Sequence, residues 1–258
     1  MTWIALFLLS FGLADAVGSL RDRPGWLAPA VGGAAWLAGL LTGGLAADAG
    51  SWIVFACGVA ALLWWRREAP VADRDRSTAR RALLAFGVPL ALLLAASGLS
   101  PSVGGPLRMW LGSSQLPALA GRPAAWVLIL LATALFNVSS ANLLVRAVLV
   151  AVGASPSAAQ QTPGPATLRP AQRLRGGRLL GPMERLLILG LTAAGTLEAA
   201  ALVIAAKGLL RFPELQAVAR SDVPLGHKST TVDEVTEYFL VGSFTSWLIA
   251  LGSAALVG

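Results

Sequence analysis

A chain of 258 residues with 56% hydrophobic and 13% charged residues, a mean hydropathy of +0.70 and a net charge of +7 departs from soluble domains, in which roughly a quarter of residues are charged. The basic excess does not point to nucleic acid. Six arginines against three carboxylates in 66–81, and five against one in 169–185, account for all of it, and both segments lie between apolar runs. With a single cysteine, Cys57, no internal disulfide forms, and its apolar surroundings predict a small buried side chain.

The apolar runs fall near 2–19, 26–45, 50–65, 82–99, 124–150, 179–212 and 238–257. A crossing needs about 20 apolar helical residues, so the fold class is all-α, a polytopic transmembrane helix bundle of seven or eight spans. The first run has no basic residue before it and Arg21 and Arg23 after it, which reads as a first helix with its N-terminus outside rather than a cleaved signal. Arg21/Arg23, the arginines of 66–81, and Arg146 with the basic segment after it then alternate with Asp48 and 99–122 to put the basic loops inside. Asp15 lies near the inner end of the first run. It is either a hydrated interfacial group paired with Arg21 or a buried partner or site residue.

Segment 99–122 is too broken by Pro and Gly to span. Leu107, Met109, Trp110 and Leu111 beside Arg108 predict a short helix lying in the interface. In the fifth run Asn137, Ser139, Ser140 and Asn142 crowd together, with Ser139 and Asn142 on one helical face, as interhelical glue or as a polar path. Three regions result: 1–150 with five helices; 151–178, a flexible basic cytoplasmic linker rich in Ser, Pro, Gln, Gly and Arg; and 179–258, a second membrane region with a polar insertion at 215–235.

The stretch 179–212 admits two readings. As one helix, 186–206 crosses the bilayer and strands Glu198 near mid-depth, where a carboxylate is a proton or cation site by default. As a tight helical hairpin turning at Gly195-Thr196, Thr196 caps the second arm, Glu198 sits in its first turn, and Glu184 and Lys207 stand equidistant from the turn. Lys207 and Arg211 share a helical face, and Glu237 opens the last helix. Glu184, Arg185, Lys207, Arg211 and Glu237 therefore gather at one interface if the hairpin forms, as an ion-pair network that fixes packing or as a gate or anion site. Gly242, Ser243 and Ser246 include a small-residue face, and Thr230 and Thr231 with Asp233 and Glu234 read as a capping box. The lone His227 has no companion for a zinc site, and no metal or cofactor is expected.

Glu184-Arg185-Leu186-Leu187, Ala205-Ala206-Lys207 with Arg211-Phe212, and Glu237-Tyr238 with Gly242-Ser243 and Ser246 carry a resemblance. Across 177–250 this pattern is similar to the C-terminal signature of an uncharacterised bacterial family of multi-pass membrane proteins. It departs from that signature at Gly208, at Ser243 and in 215–232. The resemblance implies a bacterial cytoplasmic membrane location and no settled activity.

The expected function is a small-solute or ion permease or channel, with Asp15, Asn137, Ser139, Asn142, Glu184, Glu198 and Lys207 as candidate polar groups. The alternative is a non-catalytic scaffold or accessory subunit whose basic loops meet anionic lipid headgroups, a second copy or another membrane protein. The sequence has one histidine and no Asp-rich helix, which argues against a headgroup-modifying enzyme.

Overall fold

The computed structural model describes residues 1–20, 24–114, 119, 121–154, 177–206 and 230–258; the side chains of 177–179 and 230–239 lie outside that description. Among these residues every regular element is a helix and no strand occurs. The helices are α1 (Thr2–Gly18), α2 (Leu27–Thr42), α3 (Ala49–Glu68), α4 (Arg76–Ala95), α5 (Gly105–Ser113), α6 (Ala124–Val138), α7 (Ser140–Val152), α8 (Gly177–Ala193), α9 (Leu197–Ala206) and α10 (Thr230–Val257). Asp48 and Asp75 cap α3 and α4, accepting from the backbone N–H of Ser51 at 2.7 Å and of Thr78 at 2.8 Å.

Helix α1 has no polar face, and it is the axis of the molecule. It packs against α2 and α6 along its length and touches α3, α4 and α7. Small residues set those approaches. A Cβ on Gly32 would fall 2.7 Å from the Ser10 carbonyl oxygen, and Ser10 Oγ donates to the Gly32 carbonyl at 2.8 Å. Around this axis Phe7 and Phe11 meet Phe86 of α4, Phe11 also meets Trp65 of α3, and the Phe86 ring stacks on Phe136 of α6 at 5.4 Å. The C-terminal helices lean on the same core through α6 and α7, and Leu189 and Val257 belong to it.

Two sets of contacts mark the ends of the bundle. At one end Thr2 Oγ1 donates to the Pro101 carbonyl, Trp3 Nε1 to Ser51 Oγ, and Trp126 Nε1 to the Val257 carbonyl. At the other, Asp15 pairs with Arg66 and Arg146 with Asp73. As the sequence leads one to expect, 105–113 is a short helix with no buried residue, and Met109 and Trp110 are exposed.

The number of crossings differs from the expectation of seven or eight. Among the described residues, Ala49–Val71, Arg76–Ala95 and Leu240–Val257 are long and apolar enough to cross a membrane, and α6 with α7 makes a fourth if that bent pair is one span. Helices α1, α2 and α9 are apolar but have only 17, 16 and 10 described residues. An apolar run overstates a helix wherever a turn consumes its ends, and the runs at 124–150 and 179–212 are each cut in the middle. The first cut is at Ser139, where the helix bends by 51°. The second is at Gly195, whose φ of +79° suits glycine. Beyond Gly195, Ala200 joins Ile188 in one apolar cluster with Ala250, so the chain doubles back there. Cys57 also departs from expectation: it is exposed on the outer face of α3, because an all-apolar helix does not disclose which side meets protein.

Candidate functional site

The break at Ser139 gathers the polar groups of the bundle. The last carbonyls of α6 and the first N–H groups of α7 lose their helical partners there and need substitutes. Ser139 Oγ lies 2.8 Å from both the Leu135 carbonyl and the Gly12 carbonyl of α1, its acceptors. Arg185 of α8 supplies the larger share. Its Nε and Nη2 donate to the Asn137 carbonyl at 3.1 and 2.7 Å, Nη2 also to Asn142 Oδ1 at 2.6 Å, and Nη1 to Ser246 Oγ of α10 at 3.0 Å. One guanidinium thus ties together α6, α7, α8 and α10, and only 2% of Arg185 is exposed. Its hydrogen-bond acceptors here are all neutral. Cationic charge at the C-terminal end of α6 complements the helix dipole.

Asn137 is fully buried, and its Nδ2 donates to the Thr133 carbonyl and to Ser253 Oγ, both at 2.8 Å. Its Oδ1 has no protein partner among the described residues. A buried amide oxygen without a hydrogen bond costs about 1–3 kcal/mol, so it marks a place where something polar would be welcome.

Across the break, Asp15 faces the beginning of α7. One carboxylate oxygen accepts from Ser140 Oγ at 2.6 Å and from Trp65 Nε1 at 2.9 Å, and the other from Arg66 Nη1 at 2.7 Å. The side chain of Asp15 is 1% exposed and that of Arg66 14%. The two ends created by the break are therefore met by opposite charges, Arg185 at the C-terminus of α6 and Asp15 at the N-terminus of α7.

Of the residues singled out in the sequence, Asp15, Asn137, Ser139, Asn142 and Arg185 lie at this break, and Glu184 is half-buried beside Arg185. Asp15 is buried against Arg66, which corrects the hydrated reading, while Arg21 lies outside the described residues. Glu198 is elsewhere. It is exposed in the first turn of α9, beyond Gly195, and is not stranded in the middle of a continuous helix. Thr196 Oγ1 donates back to the Leu191 carbonyl at 2.9 Å and so closes α8. Lys207 and Arg211 lie outside the described residues, as does the side chain of Glu237 in α10; the expected gathering of these three with Glu184 and Arg185 lies outside them too.

Sequence reasoning missed Trp65, Arg66 and Ser253 as partners of the site. A signal for Arg66 existed. With alternating orientation the first and third runs point the same way, so their inner ends meet, and a buried aspartate at one asks for a base at the other. Among the described residues no three His, Cys, Asp or Glu side chains stand close enough to hold a metal ion.

No family model, no curated protein and no solved structure matches this chain. The C-terminal resemblance therefore rests on its own residues alone.

Proposed function

We propose that the chain is an integral membrane protein of the bacterial cytoplasmic membrane that conducts or transports a small solute or ion past the break between α6 and α7. The observation that carries this reading is a discontinuous helix inside the bundle whose two ends meet opposite buried charges. Discontinuous helices are the device by which many transporters build a polar site at membrane depth. Ser246 is 11 residues from Val257 along α10, which puts Arg185 roughly 16 Å from the outer end, about mid-depth in a 30 Å core. Intramembrane guanidinium groups are costly and are retained for a function or a partner.

In this reading α1, α2, α3, α4, the α6–α7 pair, α8, α9 and α10 all enter the bilayer, eight crossings in total, with α8 and α9 as a membrane hairpin and with the start of α1 and the end of α10 both outside. Short helices such as α1 are accommodated because protein surrounds them. Purified protein in proteoliposomes tests the reading, with a panel of monovalent cations, inorganic anions and small neutral solutes. Flux of at least one member is expected, and Arg185→Gln is expected to cut it by at least about tenfold, the order of one lost charge-assisted contact. Arg185→Lys separates charge from folding. Absence of flux across the panel from protein that unfolds as cooperatively as in detergent would overturn it.

One observation favours the scaffold reading instead: Arg67, Arg74, Arg76, Arg80 and Arg81 are clustered at the inner end of α3 and α4, and all five are exposed. A soluble partner held there would co-purify with the wild-type chain and be lost on replacing Arg80 and Arg81 by glutamine.

A further inference from the structure

Away from the break, an apolar groove of about 450 Å³ runs between α2 and α3 on the outside of the bundle. Trp26, Gly33 and Leu37 line one side, Val59 and Leu63 the other. The space beside Gly33 is open: a Cβ there would meet no atom within 4 Å. Two features distinguish this groove from ordinary lipid-facing surface. Leu63 is followed one turn later by Arg67, so the wall formed by Val59 and Leu63 ends in an exposed cation. The helices are also antiparallel, with the Leu62 side chain against Gly32, so five residues onward on α3 and about as many back on α2 bring Arg67 level with the exposed Trp26. Tryptophan and arginine at one level are the residues of the membrane interface, and this end carries the arginines of 67–81.

We propose that this groove holds one acyl chain of an anionic phospholipid of the inner leaflet, with its phosphate on Arg67 and its glycerol region beside Trp26. The groove's volume is comparable with that of a single acyl chain, and its lining offers no polar partner to any other kind of ligand. The headgroup charge follows from Arg67 and the arginine-rich turn after it, where no carboxylate excess offsets the cations. This rests on membrane insertion but not on transport, and the readout below is independent of flux.

The test is native mass spectrometry of protein reconstituted in equal parts phosphatidylglycerol and phosphatidylcholine and then released. A retained phosphatidylglycerol is expected on the wild-type chain. Gly33→Leu places a side chain in the groove, its Cβ clear of any neighbour, and is expected to abolish retention. Arg67→Gln lowers it about fivefold, the contribution of one basic side chain at an anionic surface. Arg108→Gln, exposed at the opposite end, leaves it unchanged. Equal retention of phosphatidylcholine would overturn the headgroup assignment, and retention that survives Gly33→Leu would overturn the groove. A dimer that Gly33→Leu dissociates, with no lipid bound, would assign the groove to a second copy instead. Carbonate-resistant membrane association of each variant distinguishes these outcomes from a failure to insert.

Discussion

Asp15 and Arg66 illustrate how a single buried pair sets both stability and chemistry. Removing the carboxylate alone leaves Arg66, Trp65 and Ser140 facing one another without an acceptor, so Asp15→Ala is expected to destabilise the protein by about 3–5 kcal/mol in detergent unfolding. Asp15→Leu with Arg66→Met removes both charges, and part of that loss is expected to return, since apolar replacement of a whole buried pair is often neutral. If the pair serves transport, the double variant folds without flux. Recovery of flux together with stability would make the pair purely structural. The residue-level signal was legible for Asp15, because an acid in an apolar run demands an explanation, and for the polar crowding at Asn137–Asn142. It was not legible for Cys57, whose helix is apolar on every side and so discloses nothing about which face meets protein.

Helix identity was readable from hydropathy, but helix endings were readable only where local chemistry imposes them. Gly195 supplies a left-handed turn at the place where one of the two readings of 179–212 put it. Ser139 lies in a sequence without Gly or Pro, and its break is decided by contacts distant in the chain, from Gly12 and Arg185. Asp75 is an ending of the first kind. Hydrogen bonds from Ser77 and from the Thr78 backbone and hydroxyl hold its carboxyl well below the usual carboxylate range. A folded value below the unfolded one makes its contribution present above the ordinary aspartate range, near about 4, and lost as pH falls through the depressed value. Amide exchange in the first turn of α4 is therefore expected to stay slow at neutral and mildly acidic pH and to accelerate only under strong acid. Asp75→Ala should show the fast exchange at every pH. A first turn equally protected in that variant would show that the cap does not hold it.

On the scale of the whole molecule, the membrane reading turns on the side reached by the segment after α9. On the proposed topology, a hairpin at Gly195 would put residue 222 on the cytoplasmic side and one continuous span would put it outside. Asp222→Cys in a Cys57→Ser background is expected to react with an impermeant maleimide in inverted vesicles and not in intact cells. The reverse pattern would exclude eight crossings and make the α8–α9 turn a feature of the chain without a membrane role. General architecture, an all-α helix bundle, was legible in hydropathy alone because lipid leaves the backbone few alternatives. The number of crossings was not, since turns inside apolar runs are set by packing. The central position of α1 also bears on the order of synthesis. Helix α1 is made before the helices that enclose it, and it carries an aspartate whose cation emerges 51 residues later and whose serine donor emerges 125 residues later. If the chain enters a membrane as proposed, it holds an unpaired acid there until Arg66 has been made, and α1 is then expected to settle last into the place it occupies.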